Sequence, residues 1–475
     1  MARTKKKEKG FWNLVDRFQG DKVIWMIVIL LILISIVSVF SSTPLLARET
    51  GGSRMGIVKS QMITAAIGIG LIILCYSIKS IGIFRFFSQF GFAVSFILLA
   101  ILVSGANLGF VRAADINGAR RILVMFGAQI HVYEVVKVAM VMYLAWAVNA
   151  LKDDEFAIAN YLSGRFERLA FLGNDFWKKT LYIYVPILIV CAMMFFGGTS
   201  SMLFFVLLVF LTIYVGGVRL KELIIMGGFL AAYIALAVAL YKVTENSDHK
   251  IILSQRIVTA MNRLNNHDED DMTIITKAAR NSAEFQDAMD RLRQPVSAQI
   301  AIKEGGIFGK GPGRSTQKYV VPVIFGDYMF SFIVEEYGLV GAIIIIILYV
   351  SLLARGAMIA RNCDNYFAKV AVSGLILLIT AQAFMHMAIN VHLAPQTGQT
   401  LPLISHGTSS FLSFCIAFGI ILSISRMVHL KMLEKAENAD PIIVRSQDDV
   451  QDGMNELEML ETEDFDNYGQ DTGDY

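Results

Sequence analysis

The residue best placed to do chemistry is an isolated carboxylate in the second half of the chain. Asp327 is the only residue charged at neutral pH between positions 321 and 332, and a long apolar run begins directly after it at Tyr328. A carboxylate beside apolar walls is expected to have a raised pKa, which suits a general base. Aspartate is also a favoured helix N-cap, and the sequence is compatible with both roles.

A glycine-dense, basic segment at 305–318 precedes this aspartate. Its glycines, including Gly311, allow close approach of the backbone, and its N–H groups with Lys310, Arg314 and Lys318 would form an anion-binding concavity. Phosphate or pyrophosphate is the natural ligand for such a concavity. The segment is not a P-loop, because no Gly-Lys-Ser or Gly-Lys-Thr completes the motif. A hairpin that binds no ligand is the alternative, and the spacing does not decide between them.

Several charged or polar side chains interrupt the apolar runs. Glu134 and Lys137 are three residues apart and share a helix face, which predicts either a buried ion pair or the lining of a cavity. Glu335 and Glu336 point about 100° apart on a helix, so we interpret them as structural members of a polar network. His386 has no second ligand one turn away and is interpreted as a hydrogen-bonding residue.

A third polar segment, 394–410, is punctuated by Pro395, Gly398, Pro402 and Gly407. Irregular backbone at membrane depth is tolerated only where it is buried in protein or lines a cavity. The segment is therefore predicted to be a re-entrant loop between two helices.

Long apolar runs must position these segments. The chain has 475 residues, of which 55% are hydrophobic and 17% charged, whereas soluble proteins carry roughly 25% charged residues. A span needs roughly 20 apolar residues, and runs of about that length predict an all-α polytopic membrane protein with about ten transmembrane helices. The predicted spans are 23–41, 62–78, 87–105, 133–150, 181–197, 202–217, 222–241, 328–354, 368–389 and 411–427.

The remaining parts are predicted to be a basic N-terminus at 1–22, a large extracytoplasmic loop at 242–326 and an acidic, disordered tail at 428–475. Basic residues follow the positive-inside rule at every inside loop, which places both termini in the cytoplasm. Arg120 and Arg121 violate the rule in a short outside loop, so they are candidates for function. Nothing in the composition indicates binding to nucleic acid, and the four cysteines predict neither a disulfide nor a metal site.

Three ordered blocks resemble the SEDS family (shape, elongation, division and sporulation), the FtsW/RodA group of bacterial cell-wall polymerases. The family patterns are NGAxRW…G…QPSExxK, then YQ…A…G…GxGxGxSxQK…LPExHTDFIF…EExG, then N…PxTGxxLPxISxGGSS. The matching positions are Asn117–Arg121, Gly127, Glu134 and Lys137; Gln294, Ala301, Gly305, Gly309, Gly311, Gly313, Ser315, Gln317, Lys318, Pro322, Asp327, Phe330 and Glu335–Gly338; and Asn390, Pro395, Thr397, Gly398, Leu401, Pro402, Ile404, Ser405, Gly407, Ser409 and Ser410.

The resemblance implies a glycosyltransferase of the cytoplasmic (inner) membrane that polymerises lipid II and releases undecaprenyl pyrophosphate. Asp327 would be the catalytic base. Substrate-binding residues carried over from the motifs, or assigned as cations for the pyrophosphate, are Arg121, Glu134, Lys137, Arg256, Gln294, Gly311, Lys318, Pro395, Thr397, Ser405 and Ser409. A divalent cation (Mg²⁺ or Mn²⁺) is a further source of charge neutralisation. The implied partners are a class B penicillin-binding protein, which is a transpeptidase, and other membrane proteins of the divisome.

The chain departs from the family pattern close to the aspartate. Val323, Phe325 and Gly326 stand where the family has Glu, His and Thr. Three features favour a division-type member acting at the division site. They are the basic N-terminus, the acidic tail and the amino-acid sequence of the third block. An elongation-type polymerase, a flippase or transporter of the lipid-linked precursor, and a scaffold that only anchors a partner are the alternatives.

Overall fold

We describe a computed structural model of the protein. The structure describes residues 19–49, 51–107, 109, 111–116, 119–125, 128–225, 227, 228, 235, 275, 276, 282–321, 323–395 and 397–439. The chain divides into two compact units. The large unit, Asp21–Ile424, contains all the residues considered below as a functional site, and the small unit consists of Met1–Gly20 and Ser425–Tyr475.

Helices dominate the described residues. The elements, in chain order, are α1 Lys22–Ser42, α2 Pro44–Glu49, α3 Arg54–Ser77, α4 Ile81–Ser104, β1 Val111–Ile116, β2 Ala119–Met125, β3 Ala128–His131, α5 Val132–Asp153, α6 Ala157–Arg165, α7 Asp175–Lys179, α8 Val185–Gly197, α9 Thr199–Val215, α10 Ala283–Gly305, α11 Met329–Arg361, α12 Tyr366–Asn390 and α13 Thr408–Ala439. A π-helical turn, Thr180–Tyr184, joins α7 to α8 in one continuous segment.

Eight helices in the described part of the chain are long and apolar enough to cross a membrane. They correspond to eight of the predicted spans, and α9 is a shorter apolar helix at the position of a ninth. The protein is therefore a multi-pass membrane protein. Most of the span predicted at 222–241 lies outside the described residues, as do residues 242–274 and 277–281 of the large loop. The helix α13 continues past 427 to Ala439, because residues 428–439 are rich in good helix formers; the rest of the predicted acidic tail lies outside the described residues.

A three-stranded antiparallel sheet is the departure from the all-helical prediction among the described residues. It has the order β1-β2-β3, with Ile122 of β2 opposite both Ala114 and His131. Ile122 and Leu123 are buried, and Leu123 packs in the core with α5. Because β3 runs directly into α5, the sheet fixes Arg121 relative to the start of that helix.

The most buried spans are α5, α12 and α13, and α13 is 78% buried in its most apolar part. In the most apolar part of each helix, 78% of residues are buried for α5 and 67% for α12, against 22% for α4. The helix α4 therefore presents most of its surface to lipid, while α5 and α12 form the inner wall that carries polar side chains. Asn149 of α5 accepts a hydrogen bond from the backbone N–H of Phe367 at 3.1 Å and so joins the two helices near one end.

The long helix α11 is broken near its start. Gly338 has φ 68° and ψ −166°, which is not helical. The glycine-rich segment lies across this break: Lys310 and Gly311 donate backbone hydrogen bonds to the carbonyls of Glu335 and Glu336, both at 2.9 Å. On the other side of the break, the N–H of Leu339 donates to the carbonyl of Gly306, also at 2.9 Å.

Candidate active site

Asp327 lies in the turn that leads into α11. Hydrogen bonds accepted by three backbone carbonyls of this turn hold it in place. Ser405 Oγ donates to the carbonyl of Gly326 at 2.7 Å, and the N–H of His406 donates to the carbonyl of Phe325 at 2.9 Å. Asn390 Nδ2 donates to the carbonyl of Asp327 itself at 3.0 Å. The third polar segment and the end of α12 therefore position the backbone of the aspartate.

The Asp327 side chain does not cap α11. The N-cap residue is Tyr328, which makes no side-chain capping bond. Asn390 instead satisfies the helix end, because its Oδ1 accepts from Ser331 N at 2.9 Å and from Ser331 Oγ at 2.7 Å. Within the described residues no group donates a hydrogen bond to the Asp327 carboxylate. The sequence allowed Asp327 to be a helix N-cap or a general base. Because its side chain does not cap α11, the carboxylate is available to act as a base.

Arg121 and Asp327 lie against the same glycine. A Cβ atom on Gly398 would be 3.5 Å from Arg121 Nη1 and 3.5 Å from Asp327 Oδ2. Arg121 Nε donates to the carbonyl of Gly197 at 3.0 Å, which aims the guanidinium at this position. Burial raises the pKa of Asp327 to about 6, and the charge of Arg121 opposes that rise. Asp327 and Arg121 therefore form a cluster of a carboxylate that is more basic than usual and a cation.

Lys137 is fully occupied by partners in the protein. Its Nζ lies 2.9 Å from Glu134 Oε1, 2.6 Å from Gln382 Oε1 and 3.2 Å from Gln399 Oε1, and the residue is 1% exposed. An ammonium has three N–H donors, and all three are used. Glu134 and Lys137 thus form a buried ion pair. The contact of Lys137 with Gln399 holds in place the residue that follows Gly398.

The glycine-rich segment does surround an anion, and that anion is a carboxylate of the same chain. Glu335 Oε1 accepts from Thr316 N and from Lys310 Nζ, both at 2.8 Å, and Glu335 Oε2 accepts from Ser315 Oγ at 2.5 Å. Glu335 is 0% exposed. A buried carboxylate needs this number of donors to offset its lost hydration.

Lys318 also has partners within the protein. Its Nζ donates to the carbonyl of Gly313 at 2.6 Å and lies 3.6 Å from Glu336 Oε1, which in turn accepts from Ser41 Oγ at 2.6 Å. Glu335 and Glu336 are therefore members of a structural network, as their spacing indicated. The substrate-binding roles of Gly311 and Lys318 stay predictions, and their present contacts tie the loop to α1 and α11.

The other candidate residues lie around the third polar segment or outside the cluster. Ser409 Oγ accepts from the N–H of His131 at 2.9 Å and joins the sheet to α13. Pro395 is exposed, whereas Thr397 is buried beside Gly398. Gln294 lies on α10, and Arg256 is outside the described residues. The structure thus brings together Asp327, Arg121 and the 397–405 segment.

His386 is a hydrogen-bonding residue of the helix bundle, as predicted. Its Nδ1 lies 2.7 Å from the carbonyl of Gln399, and its Nε2 accepts from the N–H of Phe330 at 3.3 Å. These contacts connect α12 to both the third polar segment and the start of α11. The described residues contain no group of three or more His, Cys, Asp or Glu side chains able to hold a metal ion.

Two functional neighbours were not singled out from the sequence. Gly398 was noted only as part of a motif, and Gly197 only as the last residue of a predicted span, yet these residues bring Asp327 and Arg121 together. Asn390, quoted only as a motif residue, proves to be the residue that caps α11 and frees the aspartate. The sequence signal for Gly398 and Asn390 was their membership of the third family block.

Asp327 and Arg121 thus lie close together in a multi-pass helical membrane domain. The family model described as "Cell cycle protein" (FtsW, RodA, SpoVE) matches residues 21–430 of the chain. The protein therefore belongs to this family, the SEDS family that the three blocks resembled.

Relatives match over most of the chain. A protein of Geobacter sulfurreducens named "Probable peptidoglycan glycosyltransferase FtsW" is 24% identical over 416 residues, covering 86% of this chain and 96% of the relative. "Stage V sporulation protein E" of Bacillus subtilis is 25% identical over 410 residues, covering 86% and 97%. "Peptidoglycan glycosyltransferase MrdB" of Escherichia coli is 36% identical over 143 residues, covering 30% of this chain and 38% of the relative.

Solved structures share the fold. The chain is similar, with a TM-score of 0.56 and 20% identity, to a structure described as showing polymerization and crosslinking by a peptidoglycan synthase complex; the match covers 86% of this chain and 98% of the other. The rod shape determining protein RodA of Thermus thermophilus matches with a TM-score of 0.51 and 20% identity, covering 86% and 97%.

Proposed function

We propose that the protein is a peptidoglycan glycosyltransferase that polymerises lipid II into glycan strands at the outer face of the cytoplasmic membrane. The observation that carries the proposal is the Asp327 carboxylate, which is raised in pKa, free of hydrogen bonds from the described residues and adjacent to Arg121. The names of the relatives, peptidoglycan glycosyltransferases, support the same reaction class.

In the proposed reaction Asp327 accepts the proton of the acceptor's 4-hydroxyl as that oxygen attacks C1 of the donor sugar. The C1–O bond to undecaprenyl pyrophosphate breaks, and the configuration at C1 inverts. A pyrophosphate leaves with its electron pair and needs charge neutralisation more than protonation, so one carboxylate suffices. A single base is consistent with the surroundings of Asp327, where Arg121 is the nearest described cation.

Arg121 is the residue we assign to the leaving pyrophosphate. Its Nε is committed to the carbonyl of Gly197, while its two Nη groups make no hydrogen bond with any described residue. Lys137 and Lys318 are bound by partners within the protein. A divalent cation (Mg²⁺ or Mn²⁺) remains part of the proposal as a further source of charge neutralisation for the pyrophosphate.

The test of the proposed function is the fate of lipid II with the purified protein in vesicles. We expect glycan polymer and one undecaprenyl pyrophosphate released for each bond formed. A flippase or transporter would instead move lipid II across the bilayer without forming polymer, and a scaffold would do neither. Either of these last outcomes, obtained with folded protein, contradicts the proposal.

Activity should depend on pH through Asp327. The base works only when ionised, and its pKa is raised to about 6 by burial. We therefore expect kcat/KM to be level above this pH and to fall about tenfold per pH unit below it. The measurement is the initial rate of polymerisation between pH 4.5 and 8 (roughly the range that brackets the pKa). A flat profile through pH 6 would remove Asp327 as the titrating base.

Replacing Arg121 by glutamine should lower the rate and shift the pH profile. The loss of a cation at the leaving group is expected to reduce kcat about 100-fold. Because the charge of Arg121 holds the pKa of Asp327 down, the midpoint should also move to higher pH. Arg121→Lys is the matched control: it keeps the charge, so the midpoint should stay in place. A reduced rate in the glutamine variant without any shift of the pH midpoint would show that the charge of Arg121 does not influence the pKa of Asp327.

The cellular role is proposed from the sequence and the relatives. Both termini are assigned to the cytoplasm and the protein to the division site, with a class B penicillin-binding protein and other divisome membrane proteins as partners. The FtsW names of relatives that cover most of the chain support division over elongation. A fluorescent fusion expressed from its own promoter tests this: a band at mid-cell is expected, and labelling along the side wall would favour the elongation role.

A further inference from the structure

Thr397 occupies a distinctive position in the third polar segment. It directly precedes Gly398, the residue against which Asp327 and Arg121 both lie. Its side chain is 9% exposed, and its backbone carbonyl accepts from the N–H of Gln399 at 2.8 Å. The backbone is thus held in place, and the side chain is enclosed at the edge of the cluster.

The hydroxyl of Thr397 is buried without a partner. Its Oγ1 makes no hydrogen bond within the described part of the chain, although the hydroxyls of Thr400, Ser405 and Ser410 in the same segment do. Thr400 Oγ1 and Ser410 Oγ lie 2.7 Å apart, and Ser405 Oγ donates to the carbonyl of Gly326. A buried unpaired hydroxyl destabilises the fold, so each one needs an explanation. A ligand that reaches this position would supply the missing hydrogen bond.

We infer that the Thr397 hydroxyl hydrogen-bonds a neutral oxygen of the saccharide that is positioned against Asp327. The inference rests on the proposed function and adds a contact to it. A neutral, buried hydroxyl matches a neutral sugar hydroxyl or acetamido oxygen, because a charged phosphate oxygen would require stronger neutralisation in the same enclosure. The cation assigned to the pyrophosphate is Arg121, whose guanidinium lies near Gly398.

The inference predicts opposite effects on stability and on binding for Thr397→Val. Valine keeps the β-branched shape and removes the unpaired hydroxyl, so the melting temperature of the ligand-free protein should rise by about 2 °C. Binding of lipid II should weaken about fivefold because one neutral hydrogen bond is lost. Binding is measured in the Asp327→Asn background, which prevents turnover, and undecaprenyl pyrophosphate is the second probe. Its affinity should be unchanged.

Two control variants make the comparison sharp. Thr380→Val removes a buried hydroxyl that donates to the carbonyl of Ile376 at 2.8 Å, so neither a gain in stability nor a loss of binding is expected. Thr397→Ser keeps the hydroxyl and should retain affinity for lipid II close to that of threonine. Together they separate the hydroxyl of Thr397 from general effects of valine in the core.

Three results would overturn the inference. An unchanged affinity for lipid II in Thr397→Val would show that the hydroxyl does not touch the substrate. Equal weakening of lipid II and undecaprenyl pyrophosphate would assign the contact to the pyrophosphate. A lower melting temperature would show that the hydroxyl has a partner within the protein. None of these readouts requires polymerisation, so a failure of the proposed reaction would be seen separately in the vesicle assay.

Discussion

Asp327→Asn should abolish polymerisation of lipid II, with a loss of rate of about 100- to 10,000-fold, which is the contribution typical of a positioned general base. Asparagine has the same shape as aspartate but cannot accept a proton at neutral pH. The native carboxylate receives no hydrogen bond from any described residue, so the substitution removes no structural contact. The loss is therefore expected in kcat, with the affinity for lipid II nearly unchanged.

The same variant should fold at least as well as the native protein. Burial raises the pKa of Asp327 to about 6, so the folded state holds the proton more tightly than the unfolded state. Folding therefore loses stability as pH rises from the unfolded pKa through about 6, and a neutral asparagine escapes that loss. The check is the melting temperature at pH 5 and pH 8 (roughly one to two units either side of the midpoint). Asp175→Asn, at an exposed position on α7, is the control for both rate and stability.

Gly338→Ala is expected to destabilise the protein by about 3 kcal/mol or more. Gly338 has φ 68° and ψ −166°, a backbone conformation open almost only to glycine. A Cβ atom there would lie 2.2 Å from the carbonyl oxygen of Ile307 and 2.4 Å from the backbone nitrogen of Gly309. Both neighbours are backbone atoms of the docked loop, so the clash is relieved only by moving that loop off α11.

The measurement for this prediction is thermal unfolding of the purified variant beside Gly91→Ala. Gly91 lies inside α4, and a Cβ atom on it meets nothing within 4 Å. Alanine at that helix position should be neutral or slightly stabilising. Equal melting temperatures for the two variants would mean that the loop does not dock across the break in α11. Polymerisation by Gly338→Ala should also fall, because the same loop leads into the turn that carries Asp327.

The sequence was sufficient to predict the membrane-spanning helices, and insufficient to predict the sheet or how the segments of the site come together. Apolar runs predict spans because lipid excludes charge over a fixed thickness, and eight of them are found as long apolar helices. The strands β1 to β3 were missed because their short, mixed pattern carries little periodicity. The all-α prediction is therefore correct for the spans and incomplete for the segment between α4 and α5.

The same limit applies to the site: its residues could be predicted from the sequence, and their positions relative to one another could not. Asp327 was found from its isolation in an apolar stretch, and Arg121 from its violation of a placement rule. Their meeting at Gly398 depends on packing between segments about 70 to 280 positions apart in the chain, which no local pattern encodes. The sequence left open whether the glycine-rich segment binds an anion such as pyrophosphate. In the structure its Lys310, Ser315 and Thr316 bind the Glu335 carboxylate, a contact between distant residues that spacing alone does not reveal.

The most direct test of the central claim is polymer formation in vesicles that present lipid II on one leaflet only. The purified protein is inserted in a single orientation, and glycan chain length is measured by gel with lipid II supplied at the Asp327 face or at the opposite face. We predict polymer only from the Asp327 face, and none from the Asp327→Asn protein on either side. Polymer from the opposite face, or full polymerisation by the asparagine variant, would contradict the account.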